Sequence, residues 1–324
     1  MKKFKHLLPV LIVLLFSACS VDDNPEPIIP EDEVPFVNGS TLTFATKEEG
    51  AALLGTSDGY TQALNIFDIG SRTRNPANVE EQNYLDFASS QAQDWTADEI
   101  ASLKQVITGV KTKMEEMGLN LDFPNTVNLV KSAMLEEGGS VSYTREDYIV
   151  VKGSVEESFI VHELFHILSR NNPSNRDALF QTINFIKCNR IEYPTSIKDN
   201  VVTNPDAPFL DHYITVELDG EQKEAVFILY TEEDYTTGAF FDYFDQKLML
   251  IEGGADSKTP VLVNNMPVLR DFHESSDLYE KIGDNTNYTL HPEEILADHF
   301  VALVTQKSVS SPSFIEAMKN VLSQ

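Results

Sequence analysis

The order of elements along the chain predicts an α+β fold, with strands and helices segregated rather than alternating. Three observations carry this expectation. Short β-like runs separated by turn residues crowd residues 127–151, an almost wholly apolar helical stretch follows them, and the chain closes on helices opened by Pro292 and Pro312.

Taken in order, the first clear element is a helix. Thr96 and Glu99 form a capping box ahead of Ile100, Leu103, Val106, Ile107 and Val110, whose spacing stays helical to Met117 before Gly118 and Asn120 stop it. Strands are expected at Val127 to Val130, Val141 to Tyr143 and Tyr148 to Val151, divided by Gly138-Gly139 and by Arg145-Glu146-Asp147. Ser154 with Glu157 reads as a second capping box, opening a helix that ends at Asn171-Asn172-Pro173. Another helix is expected from about Arg176 to Ile186. Residues 190–285 are mixed, with strand candidates Tyr213 to Leu218, Ala225 to Tyr230 and Lys247 to Ile251, and have the length of an inserted subdomain. Pro292 starts a helix reaching Thr305, and Pro312 to Leu322 makes the last one.

The chain has 324 residues, 24 Lys plus Arg and 51 Asp plus Glu, for a formal charge of −27. Its first 18 residues hold three Lys and no acid; without them the balance is 21 against 51, or −30. So acidic a surface repels phosphate backbones, which argues against nucleic-acid binding. Residues 1–18 read as a signal peptide: a basic start, an apolar run from Leu7 to Phe16, then Ser17-Ala18 before Cys19. That run is too short to span a membrane. Ser17-Ala18-Cys19 resembles the lipobox at which bacterial lipoproteins are cleaved and lipidated on the Cys; an ordinary secretory signal is the plainer alternative. With Cys19 lipidated, Cys188 has no partner, no disulfide forms, and Cys188 is expected to be a small buried hydrophobe. Residues 19–37 read as an acidic, Pro-rich tether, with four prolines and six acids between Ser20 and Phe36. A folded body over 38–324 is then expected at the bacterial envelope, held on the outer membrane or cell surface only through the lipid on Cys19.

Chemistry concentrates in His162-Glu163-Leu164-Phe165-His166 on the apolar helix. Two His at i and i+4 project roughly 40° apart, so both imidazoles can reach one ion. Glu163 flanks them, placed to touch a metal-bound water without ligating the metal. Zn²⁺ lowers the pKa of such a water to about 7, and a neighbouring carboxylate then takes its proton. With seven His in the chain, an H-E-x-x-H string arises by chance at roughly the one-per-cent level. The helix is apolar nearly all round, so the three polar residues would be costly to bury unless coordination satisfies them.

A third protein ligand is required. Glu294 and Asp298 stand at i and i+4 in His291-Pro292-Glu293-Glu294-Ile295-Leu296-Ala297-Asp298. With these residues the sequence resembles the gluzincin branch of the zincin-like metallopeptidases. The resemblance implies a small mixed sheet on a buried active-site helix, with a mostly helical C-terminal part. It implies Glu294 as third zinc ligand and Asp298 as the partner of a ligand His, His162. It also implies that an edge strand ahead of the helix, here Val141 to Tyr143, pairs with an extended peptide. The 128 positions between His166 and Glu294 exceed the compact gluzincin spacing, which an insert over 190–285 accounts for. Rival ligands are Glu293, His291, His299, His212 and His273. Candidates for stabilising the oxyanion are Tyr288, His212 and Tyr213.

The expected function is zinc-dependent hydrolysis of peptide bonds in a peptide or protein substrate, with Glu163 as general base. Two alternatives stand beside it: a surface lipoprotein that binds peptide on a zinc-holding zincin scaffold without cutting, and hydrolysis of another acyl bond. Residues 38–119 carry no chemical motif, and Trp95 and the acidic runs there and at 232–234 read as structural or solvated.

Overall fold

The structure is a computed structural model and describes residues 32–139 and 142–324. The signal segment 1–18, Cys19 and the tether up to residue 31 lie outside the described residues, as does Val141 of the expected edge strand.

The fold is α+β, with two main sheets. The first begins inside the stretch read as a tether. Strand β1 (Glu33–Pro35) pairs antiparallel with β2 (Thr41–Phe44), so the boundary expected at residue 38 falls too late. Val34, Phe36 and Val37 are buried, while acids and prolines take the outward positions and gave the segment its tether-like composition. Four short helices follow, α1 (Lys47–Leu54), α2 (Gly59–Ala63), α3 (Ile66–Thr73) and α4 (Glu81–Ser90), then the long α5 (Ala97–Glu116), capped by Thr96 and Glu99 as expected. Strands β3 (Thr126–Lys131), β4 (Tyr143–Arg145) and β5 (Tyr148–Val151) complete a five-stranded sheet in the order β1-β2-β3-β5-β4. Its centre is parallel, and β4 is an antiparallel edge.

Period-two alternation sorts this sheet's side chains between two cores. Val127, Leu129, Ile149 and Val151 face α5 and the apolar helix α6 (Glu157–Asn171), while Val130, Tyr148 and Val150 face α1 and α4. Helix α6 is thus pressed on the sheet through Ile160, Val161, Leu164 and Phe165, all fully buried. The Ser154–Glu157 box does not form. Glu156 takes the cap position with no side-chain bond, and the Glu157 carboxylate is drawn instead to Lys113 of α5.

Helix α7 (Pro173–Thr182) begins at Pro173 and ends well short of Ile186. Asn184, in the left-handed region at φ 62°, turns the chain into a strand there. That strand, β6 (Phe185–Ile191), starts an antiparallel sheet with β7 (Leu210–Leu218), β8 (Glu221–Thr231) and β9 (Phe244–Glu252). Strand β10 (Thr259–Pro260), a small hairpin β11 (Leu262–Val263) and β12 (Met266–Pro267), and β13 (Leu269–Asp271) follow; β10 and β13 both pair with β9. This sheet occupies the span expected as an insert, and Cys188 is buried on one face of it. Helices α8 (Leu278–Ile282), α9 (Pro292–Thr305) and α10 (Pro312–Leu322) close the chain, the last two with the expected bounds. Among the described residues no helix is long and apolar enough to cross a membrane.

Candidate metal centre

Helices α6 and α9 pack against each other through an apolar seam that includes Phe165 and Phe300, whose rings lie 5.6 Å apart. That seam carries two polar stripes into register. His162 and His166, one turn apart on α6, have ring centroids 4.8 Å apart. From α9, Glu294 Oε2 lies 3.0 Å from His162 Nε2 and 3.5 Å from His166 Nε2. One nitrogen of each imidazole and one carboxylate oxygen therefore converge, all within 4.8 Å of one another, as a candidate metal-binding group.

The other nitrogen of each ring is backed by a different acid of α9. His162 Nδ1 lies 3.0 Å from Asp298 Oδ1, and His166 Nδ1 lies 3.5 Å from Glu293 Oε1. Carboxylates in these positions fix the tautomer that leaves Nε2 free to coordinate. The acids are themselves held. Thr286 donates to Asp298 Oδ2, Ser169 Oγ donates to Glu293 Oε2 at 3.0 Å, and Arg176 Nε stands 3.5 Å from the same oxygen. Glu294 Oε1, the oxygen turned away from the imidazoles, accepts 2.6 Å from Asn204 Nδ2.

The electrostatics call for a cation. Burial alone would push His162 toward its neutral form, but hydrogen bonds to Asp298 and Glu294 overcome it and raise its pKa to about 10. For His166, too, burial is outweighed, here first by the charges of Asp206 and Glu294, and its pKa is raised. Burial works to raise Glu294, yet the His166 charge and the His162 hydrogen bond hold it well below the ordinary range. Two imidazoles and one carboxylate make a donor set that can hold a metal ion and leave one position for water or substrate. Two further observations fit such an ion: His166 Nε2 and Glu163 Oε2 are buried and make no hydrogen bond among the described residues. A buried polar atom without a partner is costly, so a ligand belongs at that spot.

Glu163 is 3 % exposed, and its pKa is pushed to about 8 by burial and then by the nearby Asp206 charge. Tyr288 lies over the same cleft, its ring centroid 6.0 Å from that of His162, and its hydroxyl makes no hydrogen bond among the described residues. Burial and the carboxylates of Glu294, Asp206 and Glu163 raise its pKa, so the phenol stays a proton donor.

The rivals are accounted for otherwise. Glu293 backs His166 Nδ1 and is not one of the three converging donors. His291 caps α9, its Nδ1 accepting 3.1 Å from Glu293 N, and burial lowers its pKa to about 4. His299 is buried beside Asn285 and Phe314, and His273 sits exposed in a 3-10 turn. His212 is clasped between Asp211 and Asp177, at 2.7 and 3.0 Å, and its ring lies 4.1 Å from that of Phe180. Tyr213 is buried in the second sheet under Lys258, with Nζ 4.6 Å from its ring. Both His212 nitrogens are taken by its two acids, and neither residue lines the cleft beside His162 and Glu163.

Sequence reading missed Asn204 and Asp206. Both lie in the loop between β6 and β7, 38 and 40 positions from His166, and their only signal was the turn string Asn204-Pro205-Asp206. Asp206 joins Glu163 and His166 in a second group of potential ligand atoms within 4.8 Å. Searches with this chain against protein-family models, curated proteins and solved structures find no match.

Proposed function

We propose that the protein is a zinc-dependent peptidase of the zincin-like, gluzincin type. His162, His166 and Glu294 hold the ion, and Glu293 and Asp298 orient the two imidazoles. The observation that carries this reading is Glu294 Oε2 standing between two Nε2 atoms whose rings are each backed by a separate acid. A mixed sheet with an antiparallel edge strand beside the active-site helix supports the zincin comparison.

When bound, zinc acidifies a coordinated water and polarises the scissile carbonyl. Glu163 supplies proton transfer: its unpartnered Oε2 accepts the proton of the attacking water and delivers it to the leaving nitrogen. Tyr288 donates its hydroxyl to the carbonyl oxygen as negative charge builds there. The apolar shell of Phe165, Leu164 and Phe300 keeps the ligand residues from bulk water. The sequence supports a bacterial envelope location through a lipid on Cys19, with a peptide or protein as substrate.

A carboxylate beside the ligands has no use in a purely structural site, which favours cleavage over binding alone. Glu163→Gln is expected to keep about one zinc per chain by elemental analysis while losing hydrolysis by ~10²–10⁴-fold. Hydrolysis at the wild-type rate by that zinc-loaded variant refutes the general-base role.

A further inference from the structure

The outer edge of β4 is already occupied. Thr144, at its centre, turns its N–H away from β5, and both that N–H and its Oγ1 donate to Asp206 Oδ1 at 2.7 Å. Arg170 fastens the crossing, with Nη2 donating to Thr144 Oγ1 at 2.9 Å and to the Asp206 carbonyl at 3.3 Å. Three residues upstream of Asp206, Thr203 is anchored to α3: its N and Oγ1 donate to Asp68, and Arg72 donates to its carbonyl at 2.7 Å. An extended peptide adding to β4 needs the outward N–H of Thr144 and the space beside it. With both filled by a segment tied down at each end, a substrate chain must stop there.

Where it stops, the groups on offer are acidic. Asp206 Oδ2 makes no hydrogen bond among the described residues, and an Asp206 oxygen lies within 4.8 Å of ligand atoms of Glu163 and His166. Glu163 is 97 % buried with Oε2 unpartnered, and both acids line a cavity of about 540 Å³ shared with Phe159, Tyr288 and Lys307. A terminal carboxylate brought to this end would meet Asp206, Glu163 and Glu294; a terminal ammonium would be paired by them.

Resting on the peptidase reading above, we propose that the substrate is a peptide with a free α-amino terminus, whose ammonium binds Asp206, and that the protein removes residues from the amino end. Asp206 is then the residue that measures the chain's end. Phe159, 52 % exposed at the cavity wall, offers an apolar surface to the first side chain.

The test uses the zinc-loaded full chain and one peptide beginning with Leu in three forms: both ends free, N-acetylated, and C-amidated. The free and amidated peptides are expected to lose Leu at equal rates by mass spectrometry, and the acetylated peptide to react ~10–100-fold more slowly. Asp206→Asn, which keeps an acceptor for Thr144, should erase most of that preference through KM with zinc content unchanged. Equal cleavage of the acetylated peptide, or cleavage at internal bonds, overturns the proposal and leaves the peptidase reading standing. Dependence on a free carboxyl end overturns it in favour of Lys307. Failure to cleave any form, by protein holding about one zinc per chain, overturns the peptidase reading itself. The comparison of peptides on the wild-type chain decides the matter even if Asp206→Asn misfolds.

Discussion

Glu137 and Glu294 are both buried acids, 4 % and 1 % exposed, and they are satisfied in opposite ways. Glu137, in the 3-10 turn Leu135–Glu137, accepts from Tyr60 at 2.5 Å, from Tyr84 at 2.8 Å and from Arg72 at 2.9 Å. Arg72 passes on to Asp68 at 2.6 Å, and the network closes on the protein's own donors. Among the described residues of this cluster its neighbour Glu136 keeps an unpartnered oxygen, and burial raises that carboxyl's pKa toward the neutral form. Around Glu294 the acids Glu163, Glu293, Asp298 and Asp206 gather about two imidazoles, with Arg176 the cation at Glu293. Atoms are left bare on the cleft side. A polar cluster that closes on itself is built to hold the fold, and one left open with excess negative charge is built to take something in.

The sharpest way to break this comparison is to remove the shared carboxylate. Glu294→Ala should drop zinc from about one per chain to near zero by elemental analysis, with the metal-free fold retained by circular dichroism. Retention of stoichiometric zinc would move the third ligand to another residue. Next in size, Glu137→Ala leaves Arg72 buried and short of a partner and should cost roughly 3–5 kcal/mol in urea unfolding, at unchanged zinc content. Asp298→Asn removes the acid behind His162 and should weaken zinc binding about 10–100-fold in competition with a chelator. A matching loss in Glu293→Gln would show that both imidazoles are held alike.

The pH response separates the two clusters again. In chelated protein His162 has a pKa of about 10 against an ordinary 6.5, so its contribution is complete below 6.5 and is lost as pH rises toward 10. Glu163, at about 8 against 4.5, acts in the same direction, because the fold favours its protonated form and loses that advantage as pH rises. The melting temperature of chelated protein should therefore fall between pH 6.5 and 10. Zinc should remove that fall, because coordination requires deprotonated ligands and so strengthens with pH. A chelated protein with a flat profile over that range would contradict the proton count. The smallest effect belongs to Glu163→Gln, which should shift metal-free stability by about 1 kcal/mol or less at neutral pH, since no protein donor is left behind.

The parts of this molecule legible in the sequence are those marked by local chemistry. Pro292 and Pro312 stand at first helical positions, and the Thr96–Glu99 box forms, so α5, α9 and α10 have the expected bounds within a residue or two. Helical period put His162 and His166 on one face and Glu294 and Asp298 on another, while the roles of Glu294 and Asp298 came from the resemblance. A box at Ser154–Glu157 looked equivalent and failed, because Lys113 on a distant helix competes for Glu157. The helix opened by the Thr46–Glu49 box carried the same signal and went unread. The roles of Asn204 and Asp206 had no local signature at all. Their positions are decided by Thr144, 62 places from Asp206, and by Asp68, 135 places from Thr203 next to Asn204, pairs that only tertiary structure brings together.

Thr203 and Asn204 are neighbours in the chain, yet one is gripped by α3 and the other grips the carboxylate that faces both imidazoles. An ion held at the proposed site would fix Glu294 and through it Asn204, which a single peptide link joins to the Thr203 that α3 grips. Amide exchange across Ile66–Thr73 should then slow when zinc is added, and loosening Asp68 should in return make the ion easier to strip. Helices with no chemistry of their own would thereby act as the gauge on which occupancy of a remote centre is read.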